Sequence, residues 1–373
     1  MNPPEVIPMY RITLQEVCMY APNRNGRLTF IAVTLGILLL VCLLGCGCDL
    51  FNDTTQTSEI MILTYNVQNL FDALVTGNEY PEYTPESQWI SAKYRQRLTQ
   101  TARAITQGHG QVPDIVLLQE IEHVGVLEDL LQGPLASRGY QWYAATADES
   151  SAIQVGIISK FPITSAHIHS IASVRSVLEA RVSIDGEEIA VFILHAKSRR
   201  EGVLETEALR IATTRMLANR TAQLVEDEPF LPIVIAGDFN ESADTYFREN
   251  QAFQTALIPV QAPLAEQHRA EGSLVVGGTI PHADSWYTWW LDSTQTLIAE
   301  MPGSYWYEGV WETFDQILLS PAFFDGFGLE FSRGTVGATQ ALLDDEKHPY
   351  RWDVRKNEGI SDHLPVMVFL TEK

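Results

Sequence analysis

Cysteine is almost absent from this chain of 373 residues, and its four copies, Cys18, Cys42, Cys46 and Cys48, all precede residue 50. Everything after Cys48 is therefore built without a disulfide framework or a thiolate metal site. Basic residues are also few, with 25 Lys and Arg against 47 Asp and Glu, for a formal charge of −22. Such a surface repels polyanions and offers few of the contacts that release counterions, which argues against a processive DNA binder. His-Glu-x-x-His, a Gly-x-Ser-x-Gly elbow and a glycine-rich loop ending in Lys-Ser or Lys-Thr are missing too. Their absence removes the zinc-helix, serine-elbow and phosphate-loop chemistries. No fixed-period repeat, low-complexity tract or charge block marks a second domain.

One long apolar run occurs, Leu28 to Leu44, with Arg24 and Arg27 before it and Gly45-Cys46-Gly47-Cys48 after it. This is the layout of a signal peptide, and the run is also long enough to serve uncleaved as a membrane anchor. Leu43-Leu44-Gly45-Cys46 resembles the bacterial lipobox, which implies a lipidated Cys46 and an extracytoplasmic, membrane-anchored lipoprotein. The expected organisation is a signal or anchor over 1–45, a polar tether over 46–59 and one large domain over 60–373. A monomer is expected.

Hydrophobic residues make up 46% of the chain, enough to fill a core. Runs rich in β-formers at Ile60–Tyr65, Ile115–Leu118, Ile153–Ser159, Ala190–Leu194, Ile233–Ala236, Ile317–Leu319 and Val366–Leu370 read as buried strands. Helical spacing appears over Ser91–Thr106 and Thr206–Leu224, with Arg and Gln on the polar face. Asp185-Gly186 between two such runs predicts a hairpin, so the sheet is at least partly antiparallel. From Gln261 to Gly309 the pattern weakens and becomes aromatic, which predicts an insertion or long surface loop. Its Trp and Tyr residues are consistent with packing, a base-stacking platform or a membrane-dipping loop.

Polar residues recur where the strands end: Asn66, Glu120, His195, then Asp238 and Asn240. One such residue is usually a turn former, but a series of them marks a place where a site collects. Oxygen donors such as Glu120 and Asn66 suit a hard cation such as magnesium.

The segments TYNVQNLFD, LLQE, LHAKS, IAGDFN, FDQILLS and SDHLPV follow one another across residues 60–370, and GDFN and SDHLP are the specific ones. Taken together, the chain resembles the endonuclease/exonuclease/phosphatase superfamily, which contains pancreatic-type deoxyribonucleases, abasic-site endonucleases, sphingomyelinases and inositol polyphosphate phosphatases. The resemblance implies a four-layered α/β sandwich, two central mixed sheets flanked by helices, with the site at one end of the sheets. It implies a phosphoesterase dependent on magnesium, with manganese as a substitute.

By the same resemblance Glu120 binds the metal, assisted by Asn66, Asp315 and Asp362. Asp238 orients or deprotonates the attacking water, and Asn240 holds that water or a phosphate oxygen. Asp362 accepts a hydrogen bond from His363, and His195 is a second catalytic histidine. Arg175 and Lys197 are expected to contact phosphate. Gln68 stands where several nucleases carry an acidic second metal contact. The expected activity is hydrolysis of phosphodiester bonds by an extracytoplasmic nuclease acting on DNA or RNA. The alternatives are a phospholipid or sphingomyelin phosphodiesterase, a small-molecule phosphatase, and a surface binding protein without catalysis.

Overall fold

The computed structural model describes residues 59–107, 111–282, 284–296 and 301–373. The apolar run, Cys46 and all but the last residue of the tether lie outside the described residues. Among the described residues no helix is long and apolar enough to cross a membrane.

The first half of the fold runs β1 (Ile60–Leu70), α1 (Ser91–Gln107), β2 (Ile115–Ile121), α2 (Val124–Gln132), β3 (Trp142–Ala145) and β4 (Gln154–Ser159). There follow β5 (Ile163–His169), β6 (Val177–Ile184), β7 (Glu187–His195), α3 (Val203–Asp227) and β8 (Ile233–Asp238). Short strands come next: β9 (Leu257–Pro259), β10 (Leu274–Gly277), β11 (Trp286–Tyr287), β12 (Tyr305–Tyr307) and β13 (Val310–Glu312). The chain closes with β14 (Asp315–Leu319), β15 (Leu329–Val336) and β16 (Val366–Glu372).

Six strands form one sheet in the order β15-β16-β1-β2-β4-β3, and eight form another in the order β5-β6-β7-β8-β14-β11-β10-β9. Both are mixed: β1 and β2 are parallel, as are β7 and β8, while their outer neighbours run antiparallel. The two-residue turn between β6 and β7 holds Asp185 at φ 48° and Gly186 at φ 103°, the left-handed pair that a tight hairpin requires.

Strand periodicity explains the layering. In β7, β8 and β14 the residues Val191, Ile193, Val234, Ala236, Ile317 and Leu319 join the core shared with the six-stranded sheet. Their alternates, Ala190, Phe192, Leu194, Ile233, Ile235 and Leu318, turn to Leu217 and Leu224 of α3. A strand covered on both faces reads as a continuous apolar run, as these do. Helices α1 and α2 cover the outer face of the other sheet through Leu98, Ile105, Leu127 and Leu130. The result is helix, sheet, sheet, helix, the expected four-layered sandwich.

Two expectations need correction. The segment from Gln261 to Gly309 is no plain surface loop: it supplies β10 and β11 to the eight-stranded sheet and buries Trp289 and Trp290, stacked at 4.0 Å. Short strands of two to four residues, interrupted by Gly and Pro, fall below the length at which periodicity speaks. Nor are the helix arginines all on a solvated face, because Arg97 of α1 and Arg210 of α3 are fully buried. Arg210 is held by Glu207 at 2.5 Å and donates to the carbonyls of Val203 and Lys197 at 2.7 and 3.2 Å.

Gly237 has φ 143°, and a Cβ there would lie 2.0 Å from the carbonyl oxygen of Leu194 on the paired strand β7. Gly237→Ala is expected to lower unfolding stability by about 2–4 kcal/mol, since the obstacle is backbone and cannot turn aside. Chemical denaturation measures this, and an unchanged midpoint would contradict the close approach.

Candidate active site

The site begins with two broken registers. β1 and β2 pair regularly to Asn66 and Gln119, then slip before Leu70 and Ile121. Within the slip Gln68, Asn69 and Glu120 take φ of 50°, 58° and 64°. A bulge re-aims a side chain out of strand alternation. Here it brings Glu120 against Asn66, whose Nδ2 donates to Glu120 Oε1 at 3.0 Å, while the Asn69 amide donates to Oε2 at 2.9 Å.

From the facing sheet, register alone gathers three more groups. Asp238, the last residue of β8, lies opposite His195 on β7 and opposite Asp315 on β14. The Asp238 carboxylate accepts from Asn66 Nδ2 at 3.0 Å and from the Asn240 amide at 2.8 Å, so it is fixed from both sides. His195 Nε2 stands 3.6 Å from Asp238 and 3.7 Å from Glu120. His363, just ahead of β16, places Nε2 3.8 Å from Asp238 and Nδ1 2.8 Å from Asp315 Oδ2.

These surroundings drive the two histidines apart. Burial lowers His195 well below its ordinary value, and the nearby positive charges of Arg175 and His363 add to this, so it is neutral. Burial works against the charged form of His363 as well. Asp315 and Asp238 overcome that and hold it up at about 10, so it is an imidazolium near neutrality. Burial also pushes Asp238 up to about 7, with the charge of His363 opposing and that of Asp315 assisting. Glu120 is raised by burial and then by the charge of Asp362.

Several expected roles shift on this geometry. Asp362 does not receive His363; Asp315 does. Asp362 lies in a bend ahead of β16, and the His363 ring is turned to Asp315, 2.8 Å from its Nδ1. The Asp362 amide donates instead to Gln68 Oε1 at 2.9 Å, and its carboxylate lies 3.9 Å from Arg351 Nε. Asp315 is fully buried and takes both His363 Nδ1 and the Ser304 hydroxyl, the latter at 2.6 Å, on its Oδ2, while its Oδ1 has no hydrogen-bond partner. The oxygen of Asn66 is taken by the Gln68 amide at 2.9 Å, leaving its NH₂ for Glu120 and Asp238. Asn66 thus aligns the two acids. Asn240 donates from Nδ2 to the Ala196 carbonyl at 3.2 Å.

Arg175 reaches the site, donating to that same carbonyl at 3.1 Å and adding its charge beside His195 and Glu120. Lys197 pairs with exposed Glu201 at 2.8 Å. Two residues beside the site, Arg200 and Arg97, escaped the sequence, and Gln68 was read there for a different role. Arg200, three positions on, is exposed, and its charge is felt at His195, Tyr80 and Tyr305; the basic pair Arg199-Arg200 after the strand was the available signal. Gln68 is a clamp rather than a lost acid, since it binds both the amide and the carbonyl of Trp352 as well as Asp362. Arg97 donates to the carbonyl of Val67 behind Glu120 and lies 4.7 Å over the Trp352 ring. No sequence signal separates it from a solvated helix arginine.

The model of the endonuclease/exonuclease/phosphatase family matches residues 61–256, more than half of the chain. The chain belongs to the endonuclease/exonuclease/phosphatase family. It is a phosphoesterase of that superfamily. No curated protein matches it in sequence. Among solved structures, TDP2 from Caenorhabditis elegans is similar with a TM-score of 0.51 at 12% identity, covering 84% of this chain and 74% of that one. A humanized TDP2 from D. rerio has a TM-score of 0.51 at 15% identity, covering 84% and 99%. At such identities the likeness is one of fold.

Close to the family site lies a second group of ligand-type atoms, Asp72, Glu122 and His123, all within 4.8 Å of one another. His123 Nδ1 accepts the Gly125 amide at 3.0 Å and so caps α2, which places the imidazole proton on Nε2, 3.3 Å from Asp72. A nitrogen that carries a proton is a donor and not a metal ligand. This group reads as a hydrogen-bonded helix cap.

Proposed function

We propose that this chain is a divalent-metal-dependent phosphodiesterase that hydrolyses nucleic acid outside the cytoplasm. The observation that carries the reading is a buried acid near neutrality, Asp238, set between a neutral His195 and a charged His363, with Glu120 alongside. Groups pushed to opposite protonation states at one point are what acid–base chemistry needs.

Glu120 and Asp362 are the residues that would hold the cation. Their donor set fits a hard divalent ion, because Glu120 is raised by burial and by the Asp362 charge, and a cation there relieves both. When bound, it polarises the phosphate and neutralises developing charge. The remaining work belongs to the chain. Asp238, fixed by Asn66 and Asn240, orients the attacking water and takes its proton. His363 keeps a proton on Nδ1 toward Asp315 and presents Nε2–H to the phosphoryl oxygen. Arg175 and Arg200 bring positive charge to the mouth of an otherwise acidic protein, which supports an anionic polymer as substrate. Location outside the cytoplasm is supported by the apolar run ahead of Cys46.

A side-by-side assay tests this, with plasmid DNA, RNA, sphingomyelin liposomes and a soluble phosphomonoester in magnesium, manganese or EDTA. Nicking of plasmid or cleavage of RNA is expected, with EDTA reducing the rate by about 10²-fold or more. Full activity in EDTA would sink the metal, and cleavage of lipid alone would sink nucleic acid as substrate.

A further inference from the structure

The hairpin of β12 and β13 stands beside the reacting groups. Tyr305 is bridged to His363 through the backbone, and its ring lies 4.6 Å from the imidazole. Strand periodicity puts Tyr307 on the same face, its ring 6.2 Å from that of Tyr305 and tilted by 13°. Tyr305 is backed by Phe314 at 5.3 Å and 21°. Trp306 and Trp311 occupy the other face, paired across the hairpin, and Trp306 is stacked on His348 at 4.2 Å and 9°.

The tip is therefore braced from behind while Tyr307 is 56% exposed and its cross-strand neighbour Val310 50%. A membrane-dipping loop needs several apolar side chains at its tip. This hairpin exposes two, separated by Glu308 and Gly309, and keeps its tryptophans packed. The two near-parallel tyrosine rings start 4.6 Å from the His363 imidazole, which is tilted by 35° against Tyr305, and with the Arg200 charge felt at Tyr305 they match a planar group joined to a phosphate. Aromatic faces accept any base because every base has a π-face.

We propose that Tyr305 and Tyr307 form a stacking subsite for the base adjoining the scissile phosphate, so that nucleotidyl esters are the substrate class of this site. This rests on the phosphoesterase reading above. Tyr307 determines specificity, and Tyr305 sets the ladder against His363.

The experiment is calorimetric binding of adenosine monophosphate and of ribose 5-phosphate, with magnesium, to the wild-type chain, Tyr307→Phe and Tyr307→Ala. Stacking on one ring is worth about 1–3 kcal/mol, so the wild type is expected to prefer the nucleotide by about 5- to 150-fold. Tyr307→Phe keeps that preference and Tyr307→Ala loses it, with ribose 5-phosphate binding unchanged in all three. Equal affinity of the wild type for both ligands overturns the subsite, as does a preference that survives in Tyr307→Ala. Hydrolysis of a soluble phosphodiester by the same samples separates the two readings. A wild type that hydrolyses it without any nucleotide preference leaves the phosphoesterase standing and removes only the subsite.

Discussion

Asp238→Asn is expected to lower kcat on a soluble phosphodiester by about 10²–10⁴-fold, the range for loss of a positioned general base. The exchange is nearly isosteric, and the contact from the Asn240 amide survives on the remaining oxygen. In the wild type, activity should rise with pH through about 7 as Asp238 loses its proton and fall near 10 as His363 loses its own. The rising limb should vanish in the variant. Stability moves the other way. A carboxyl whose folded value is raised stabilises most below its unfolded value of 3.8, and that contribution is lost as pH climbs to about 7. The part of the pH dependence of stability that comes from Asp238 should therefore vanish in the variant, whose amide gives up the contact from Asn66 Nδ2. Steady-state kinetics and thermal melts across pH 5–10 measure both, and an unchanged kcat would remove Asp238 from the chemistry.

Asp315→Asn should be almost as damaging, lowering kcat by about 10²–10⁴-fold, because an amide in place of the carboxylate misplaces the histidine proton. With the negative charge gone, burial dominates His363 and the alkaline limb should shift downward from about 10. Asp362→Asn is the comparison that distinguishes the two acids. It should weaken activation by magnesium and leave the alkaline limb much closer to its wild-type position. If Asp362→Asn moved the limb and Asp315→Asn did not, the pairing at 2.8 Å between Asp315 and His363 would be irrelevant to catalysis.

How far the sequence speaks depends on burial and length. Ile60–Tyr65, Ile233–Ala236 and Val366–Leu370 are central strands covered on both faces, and uninterrupted apolar runs announced them. The edge strands β3, β5 and β15 were silent, since exposure on one side dilutes the pattern, and β9, though buried, has only three residues. The acids and histidines at the strand ends were legible because no core requires them there. Their pairings were not. Whether His363 meets Asp315 or Asp362 is decided by the register of β14 on β8 and by the side on which each residue leaves the chain. Gln68 shows the same limit: its type suggested a missing ligand, whereas its position in a slipped register makes it the tie between β1 and the loop of Trp352.

The place of β16 in the sheet bears on how the protein comes into being. It lies between β15 and β1, pairing Ile60 with Leu370, so the first strand has its neighbour on one side only from the far end of the chain. Ribosomes deliver polypeptide N-terminus first, and a contact this distant in sequence closes late and slowly. Asn66 and Glu120 emerge early but have no His363 until that closure. A product that stops short of His363 and β16 therefore lacks both the imidazole of the site and the strand that flanks β1.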